Sequence, residues 1–599
     1  MIETTLKTEF VPGTNLQGDM VFADWRFLLP SIELNSILCL ATPRASSARV
    51  LASIAKRIVV VDTDAVKLEQ FAEVSQQASL DNIETLLIED FTRIPLREKF
   101  SLIHLSDSGV TGNFLGNKSL QDTLKGLLSV DGIIKYETWT RSERHASQAA
   151  LSGLTRIDLH GRAYWLTPFR GEMRTALPTK QLDIAGFFFR NVLYGQSFKK
   201  RMLSHLGEFL SGARLLDTLT PRRLFLLQKG ECQHDSAKPP TYLYKLARKA
   251  GFNFDILRIG LSTRGKFNAN KVIFYLFQAS SPQPEAIVKM TRAPEFNYRL
   301  ENEYRALATL QKSGFVPKET YPEAMFLDYH GGLALMAQKA VHGVPFRTRT
   351  TARPDCKLAH RAANWLVQLG HASSNTTLVN AEQAADKLDV LFRGFAQIYS
   401  LSDEERNFMA GQLARMKQCR VDFPLVFQHG DPGTWNILVT DANEVVFIDW
   451  EAGEPRGIPL WDIFYFMRTY ASWVLRQQGN KDPLDNFMNS FLKPSSFSQW
   501  LRLLVHDYCN KIGLVVELIE PLFYTCWMHR ALKESTRLRK SQLAEGHYFN
   551  LLNTCIKNRH TETLSSLFSC EEREGPAVIE EAGSRQFPEG ILLDKGSSE

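Results

Sequence analysis

Short apolar runs alternate with amphipathic stretches over the first third of the chain. Residues 36–40 and 58–62 are apolar nearly throughout at strand length, and residues 84–88, 101–105 and 132–136 repeat the theme. Between them, residues 46–57, 65–78 and 120–130 space their apolar positions at helical intervals. Strands buried on both faces read as unbroken apolar runs, and their alternation with helices predicts a doubly wound parallel α/β sheet. Such a sheet offers ligands the carboxyl ends of its strands. The runs at 163–166 and 223–227 complete this first domain, expected over residues 1–230.

Residues 231–240 are polar and end in a proline pair, the pattern of a linker. A second pattern then begins. A helix at 242–249, an apolar run at 254–260 and strands at 271–277 and 286–289 precede a helix at 298–310 and an apolar connector at 333–338. Longer helices follow at 357–370, 381–399 and 403–419. Two short β-branched and aromatic runs, 436–440 and 444–448, flank Asp441, Ala442 and Asn443 and read as a hairpin. From Asp462 onward the pattern is helical and aromatic. The expectation is an α+β bilobal domain over 241–570, with a disordered Glu-, Gly- and Ser-rich tail over 571–599.

The hairpin carries the chemistry. His429, Gly430 and Asp431 precede it, Asn436 opens it, and Asp449 and Glu451 follow its second strand. It brings Asp431, Asn436 and Asp449 into one cluster of oxygen ligands. Asp431 is placed to take a proton from a hydroxyl, and Asn436 and Asp449 to hold Mg²⁺ on nucleotide phosphates. The order His-Gly-Asp, then Asn436, then Ile448-Asp449-Trp450-Glu451, and then Pro459-Leu460-Trp461-Asp462 resembles the aminoglycoside phosphotransferase and choline kinase family, a small-molecule branch of the protein-kinase-like fold. The resemblance implies Asp431 as catalytic base, Asn436 and Asp449 as metal ligands, Glu451 as a further metal contact and Asp462 as structural. Lys289 becomes the candidate for the α/β-phosphates of ATP, paired with Glu303 or, one helical phase away, Glu301. The turn 261–270, with Ser262 and Thr263, is expected to cover the phosphates, and the connector containing Met336 to meet adenine.

The first domain is similar to class I methyltransferases. Asp62 matches the residue that holds the ribose of S-adenosylmethionine, and Asp90 the adenine side. The first loop, Ala41 to Ser47, has no glycine where that family has a glycine-rich turn. Side chains with Cβ atoms block close backbone approach, so the cofactor is expected to bind weakly or not at all. A bifunctional kinase and methyltransferase, and a non-catalytic nucleotide-binding scaffold, are the alternatives to a kinase alone.

Composition narrows the partners. The 599 residues carry 44% hydrophobic and 23% charged residues and a net charge of +6, which calls for no nucleic acid. The eight cysteines are scattered, which fits a reducing cytoplasm. No leader and no membrane span are read, and the apolar stretch 512–527 is interrupted by Glu517, Glu520 and Pro521. Lys and Arg exceed Asp and Glu between 462 and 559, which points away from a polycationic acceptor and toward a neutral or anionic hydroxylated one, sugar-like by analogy. Composition says nothing of oligomeric state.

Overall fold

The computed structural model describes residues 18–168, 171–193, 198–212, 215, 222–229, 238–279, 281–374 and 378–569. The tail 571–599 and most of the linker expected at 231–240 lie outside the described residues. Strands form where the apolar runs place them: β1 (Leu34–Leu40), β2 (Ala55–Asp62), β3 (Ile83–Leu87), β4 (Phe100–Leu105) and β5 (Leu128–Thr138). They pair in parallel in the order β3-β2-β1-β4-β5. The helix Ala45–Ile54 ends earlier than its apolar spacing suggests, because Ala55 already pairs with Leu34. β6 (Leu159–Thr167), β7 (Thr175–Pro178) and β8 (Arg223–Lys229) follow, with β8 inserted antiparallel between β5 and β6. This is a Rossmann-type sheet of five parallel strands, extended by the antiparallel pairings of β8, β6 and β7.

The sheet does not end with that domain. β7 pairs with β6 on one side and, through Thr175 with Ser262 and Ala176 with Leu261, with β9 (Arg258–Ser262) on the other. β10 (Val272–Phe277), β11 (Pro284–Met290), β12 (Ala324–His330) and β13 (Leu333–Lys339) extend it antiparallel, giving 13 strands in one sheet. One apolar core runs along a face of both halves, joining Trp25, Phe27, Ile37 and Leu224 to Phe274, Leu276, Val288 and Leu335. The segment before β1 belongs to this seam. Its short helix Asp19–Leu28 delivers Asp24 to Arg292, with both side chains fully buried.

Two expectations are corrected by strand register. The run 254–260 and the turn 261–270 are shifted: Ile256 is exposed, whereas Ile259 and Leu261 are buried opposite Leu276 and Phe274, so Leu261 and Ser262 lie in β9 rather than in the turn. The connector 333–338 is strand β13 throughout, because Gln338 and Lys339 pair with Ile287 and Ala286. The larger lobe packs the helices Lys357–Ser374, Ala381–Ile398, Trp461–Gln477 and Ile519–Ser535 around Trp450, Phe464, Phe523 and Trp527. The stretch 512–527 is interior to this core. Among the described residues no helix is long and apolar enough to cross a membrane.

Candidate active site

The loop before the hairpin is built around a glycine. Gly430 has φ 75°, and a Cβ there would sit 1.9 Å from the carbonyl oxygen of Ala452, so only glycine fits. Asp462, at the start of the helix Trp461–Gln477, accepts the backbone N–H of His429 at 2.6 Å and of Gly430 at 3.1 Å. Burial raises its carboxyl, and the adjacent His429 opposes that. His429 donates from Nε2 to the Ile448 carbonyl at 3.0 Å and accepts the Asp431 N–H at Nδ1 at 3.3 Å. Those two bonds fix a neutral imidazole, and burial lowers its pKa in the same sense. His429 thus ties the Asp431 loop to the end of the hairpin.

The hairpin strands Ile437–Val439 and Val445–Phe447 pair so that Asn436 lies opposite Ile448, its carbonyl accepting the Ile448 N–H at 2.9 Å. Asn436 Nδ2 donates to the Asp431 carbonyl at 2.9 Å and to Asp431 Oδ2 at 3.1 Å. Its amide oxygen is left for another partner. Asp449 follows in a left-handed conformation, φ 68°, which turns its carboxylate toward the small lobe.

Across the cleft, Lys289 in β11 bonds Glu303 of the helix Asn297–Ser313 and stands 3.5 Å from Asp449. Glu303 is fully buried, whereas Glu301 accepts the Tyr329 hydroxyl at the surface, which decides between the two. The sequence did not flag Lys271. It lies two residues before Ile273, the cross-strand partner of Lys289, and so shares the face of Lys289. Its ammonium lies 2.5 Å from Asp449, 3.0 Å from Glu451 and 3.4 Å from Glu303. Burial alone would lower the Lys271 pKa, but the three carboxylates hold it well above the ordinary lysine range. Burial likewise pushes Asp449 up, and Lys271 and Lys289 reverse this and hold it well below the usual carboxylate range. Asn302 pins the small-lobe helix to this loop by donating to the carbonyls of Glu451 and Gly453.

The structure thus gathers Asp431, Asn436, Asp449, Glu451, Lys289 and Glu303 in one cleft. It does not bring Ser262 or Thr263 there as expected. Ser262 pairs with Thr175, and Thr263 is buried with its hydroxyl donated to the Met173 carbonyl at 2.7 Å and its N–H to Arg174 at 2.8 Å. Both lie in the seam between domains. Met336 is buried in β13 as the cross-strand partner of Lys289 and shares its face of the sheet; its backbone lies within the sheet ladder, and the chain leaves the sheet only after Lys339. Among the described residues no three His, Cys, Asp or Glu side chains form a ready metal cluster. The oxygens of Asn436 and Asp449 are nevertheless hard donors from the two ends of one hairpin, a set that fits Mg²⁺ shared with phosphates.

In the first domain, Asp62 at the end of β2 is already engaged. Its Oδ2 accepts the Thr42 N–H at 2.8 Å and hydroxyl at 2.6 Å, and its Oδ1 accepts the Asp64 N–H at 3.1 Å. Ala41 takes φ 63° in the turn that lacks glycine. Asp90 accepts from Thr92 in the same local manner.

A two-lobed domain with a buried Lys–Glu pair, an Asp–Asn hairpin and a facing aspartate defines a kinase-like fold. Residues 265–487 match the model of the phosphotransferase enzyme family, a segment that includes Lys289, Glu303, Asp431, Asn436 and Asp449. No curated protein matches the chain. Among solved structures, aminoglycoside phosphotransferase APH(3'')-Id from Streptomyces rimosus, in complex with ADP and streptomycin, is similar at 16% identity over 45% of this chain and 93% of its own, with TM-score 0.28. N-methyltransferase NodS from Bradyrhizobium japonicum is similar at 13% identity over 35% of this chain and 92% of its own, with TM-score 0.22. An rRNA methylase from Streptococcus thermophilus is similar at 16% identity over 34% of this chain and 93% of its own, with TM-score 0.21.

Proposed function

We propose that the chain is a phosphotransferase that moves the γ-phosphoryl group of ATP to a hydroxyl of a small, sugar-like acceptor. The observation that carries the reading is the convergence of Lys289, Glu303 and Asp449 from the small lobe and the hairpin onto one cleft that also holds Asp431. Lys289, held by Glu303, meets the α/β-phosphates, and Asn436 and Asp449 hold Mg²⁺, which neutralises charge on the phosphates when bound. Asp431 orients the acceptor hydroxyl. The hydroxyl oxygen bonds to the γ-phosphorus, the bond to the β,γ-bridging oxygen breaks with its electron pair leaving on ADP, and the hydroxyl proton passes to Asp431. Backbone groups beyond Lys339 meet adenine. The six described cysteines are free thiols, which supports a cytoplasmic setting.

Asp431→Asn tests this. It keeps the hydrogen bond from Asn436 in reach but removes the basic oxygen. Turnover falls by about 10²–10⁴, mostly in kcat, with ATP hydrolysis as the assay until an acceptor is in hand. An unchanged rate in the variant would show the assignment of the base to be wrong.

A further inference from the structure

On the side of Asp431 away from the lysine pair, the cleft is cationic and aromatic. The helix Ile519–Ser535 presents Arg530 and Lys533 one turn apart to the Asp431 loop. Arg530 donates to Asp431 Oδ1 at 3.2 Å and to the Gly430 carbonyl at 3.0 Å, and its guanidinium lies 3.2 Å above the Tyr465 ring. These contacts account for Arg530 as a strut of the catalytic loop.

They do not account for its neighbours. Lys533 is half-buried and reaches one group, the Gly430 carbonyl at 3.3 Å, which Arg530 already occupies. Burial first, and then Arg530, pulls its pKa down to about 8 against the upward pull of Asp431, Asp462 and Glu451, none of which is ion-paired with it among the described residues. Arg468 lies over Tyr548, 5.1 Å from its ring, and donates to the neutral acceptor His547 Nε2 and to the Tyr548 hydroxyl at 3.3 Å, which in turn lies 3.4 Å from the Tyr465 hydroxyl. Neither Lys533 nor Arg468 forms an ion pair among the described residues. The nearby Glu534 is spent on the Tyr548 N–H at 2.8 Å. Trp435, 48% exposed, is edge-on to Tyr465 at 6.2 Å and carries the Arg347 guanidinium 5.6 Å over its ring, which adds an aromatic edge and a further cation to the patch.

Surface lysines need no partner, but a half-buried lysine beside a buried guanidinium is held at a cost that a ligand anion removes. A polycation would meet Arg530, Lys533, Arg468 and Arg347 here, of which only Arg530 is ion-paired among the described residues, to Asp431. We propose that the acceptor carries an oxyanion, a carboxylate or a phosphate, near the hydroxyl it offers to Asp431, and that Lys533 and Arg468 bind this group while Trp435 and Tyr465 face its ring. The proposal rests on the phosphotransferase reading and adds the charge class of the acceptor.

The test is calorimetric titration of the full chain, loaded with Mg²⁺ and a non-hydrolysable ATP analogue, with a hexose, the matching hexose phosphate, the matching hexuronate and an aminoglycoside. The anionic probes bind at least about 10-fold tighter than the neutral one, and the ratio between phosphate and carboxylate identifies the group. Lys533→Met erases the preference and Lys533→Arg restores it, a rescue that a purely structural role would not produce. Arg468→Met, away from the catalytic loop, lowers the preference in the same direction. Equal or tighter binding of the neutral or cationic probe, or an anion preference that survives Lys533→Met, overturns the proposal. So does binding of no anionic probe while the nucleotide binds, which leaves the phosphotransferase reading standing. Failure of the nucleotide itself to bind overturns both.

Discussion

The Asp24–Arg292 pair is where the first domain reaches the cleft of Lys271 and Lys289. Arg292 donates to Asp24 at 3.0 and 2.8 Å, and to the carbonyls of Thr263, Phe267 and Asn270 at 2.6, 3.0 and 3.3 Å. It therefore fixes both ends of the turn that leads to Lys271. Arg292→Met strands Asp24 in the core with Arg26 as its nearest cation, 3.9 Å away. Removing one partner of a buried pair costs about 3–5 kcal/mol, and the freed turn carbonyls place this case at the upper end. Urea unfolding followed by tryptophan fluorescence reads the loss, since Trp25 packs in the same core. Mg-ATP titration reads the turn, and weakening by about 10-fold corresponds to about 1.4 kcal/mol.

The double variant Asp24→Leu with Arg292→Met separates the two effects. Apolar replacement of both partners removes the stranded carboxylate but leaves the buried Arg26 without its anion, so stability recovers only in part. Nucleotide affinity does not recover, because the turn carbonyls still lack their donor. A loss below about 1 kcal/mol in Arg292→Met, or a double variant as unstable as the sum of the singles, would refute the seam as described.

Lys271→Met removes the ammonium that competes for Asp449, Glu451 and Glu303. The Mg²⁺ concentration for half-maximal ATP binding then falls severalfold, and an unchanged Mg²⁺ titration contradicts that role. S-adenosylmethionine is expected to show no low-micromolar heat on titration into the full chain, because Asp62 is spent on Thr42 and Asp64. Low-micromolar binding abolished by Asp62→Ala would overturn this expectation and promote the bifunctional alternative. Lys533, lowered to about 8 by burial and Arg530 against the pull of Asp431, Asp462 and Glu451, loses its charge as pH rises through that value. The Kd of the hexuronate probe, whose own carboxylate is ionised throughout, is therefore flat between about pH 5 and 7 and rises toward about pH 9, and the hexose shows no such rise. A flat profile for both removes Lys533 from the anion contact.

What the sequence disclosed depended on how local the geometry is. Asp431, Asn436 and Asp449 sit on one short hairpin, so their spacing already constrains their meeting. The Lys289–Glu303 pair required one strand and one helix in succession, and only the helix phase was open, which the burial of Glu303 decides. Lys271 escaped notice because a lysine at a strand start is ordinary; the pairing of Ile273 with Lys289 is what turns it inward. Ser262 and Thr263 were misplaced because hydroxyls before a glycine read as a turn, whereas β7, from the other domain, supplies a strand partner. Arg530 and Lys533 sit on a helix whose aromatic pattern reads as core, so their approach to Gly430 is a tertiary fact.

The first domain has a physical task that does not depend on a cofactor. A small kinase-like lobe with five antiparallel strands would leave β9 as an open edge, with unpaired N–H and carbonyl groups inviting other chains. β7 covers that edge, and the domain behind it continues the sheet and shares one core with it. The cover also holds the chain where the cleft needs it. Thr263 is bound to Met173 and Arg174, Arg292 is bound to Asp24, and Lys271 follows within the same turn. A lobe whose phosphate-side turn is anchored to a second domain loses less conformational entropy when it closes on nucleotide than one whose turn is free. The glycine-poor first loop and the engaged Asp62 are consistent with a domain whose sheet is used for this anchoring, and the anchoring holds whether or not its strand ends bind a ligand of their own.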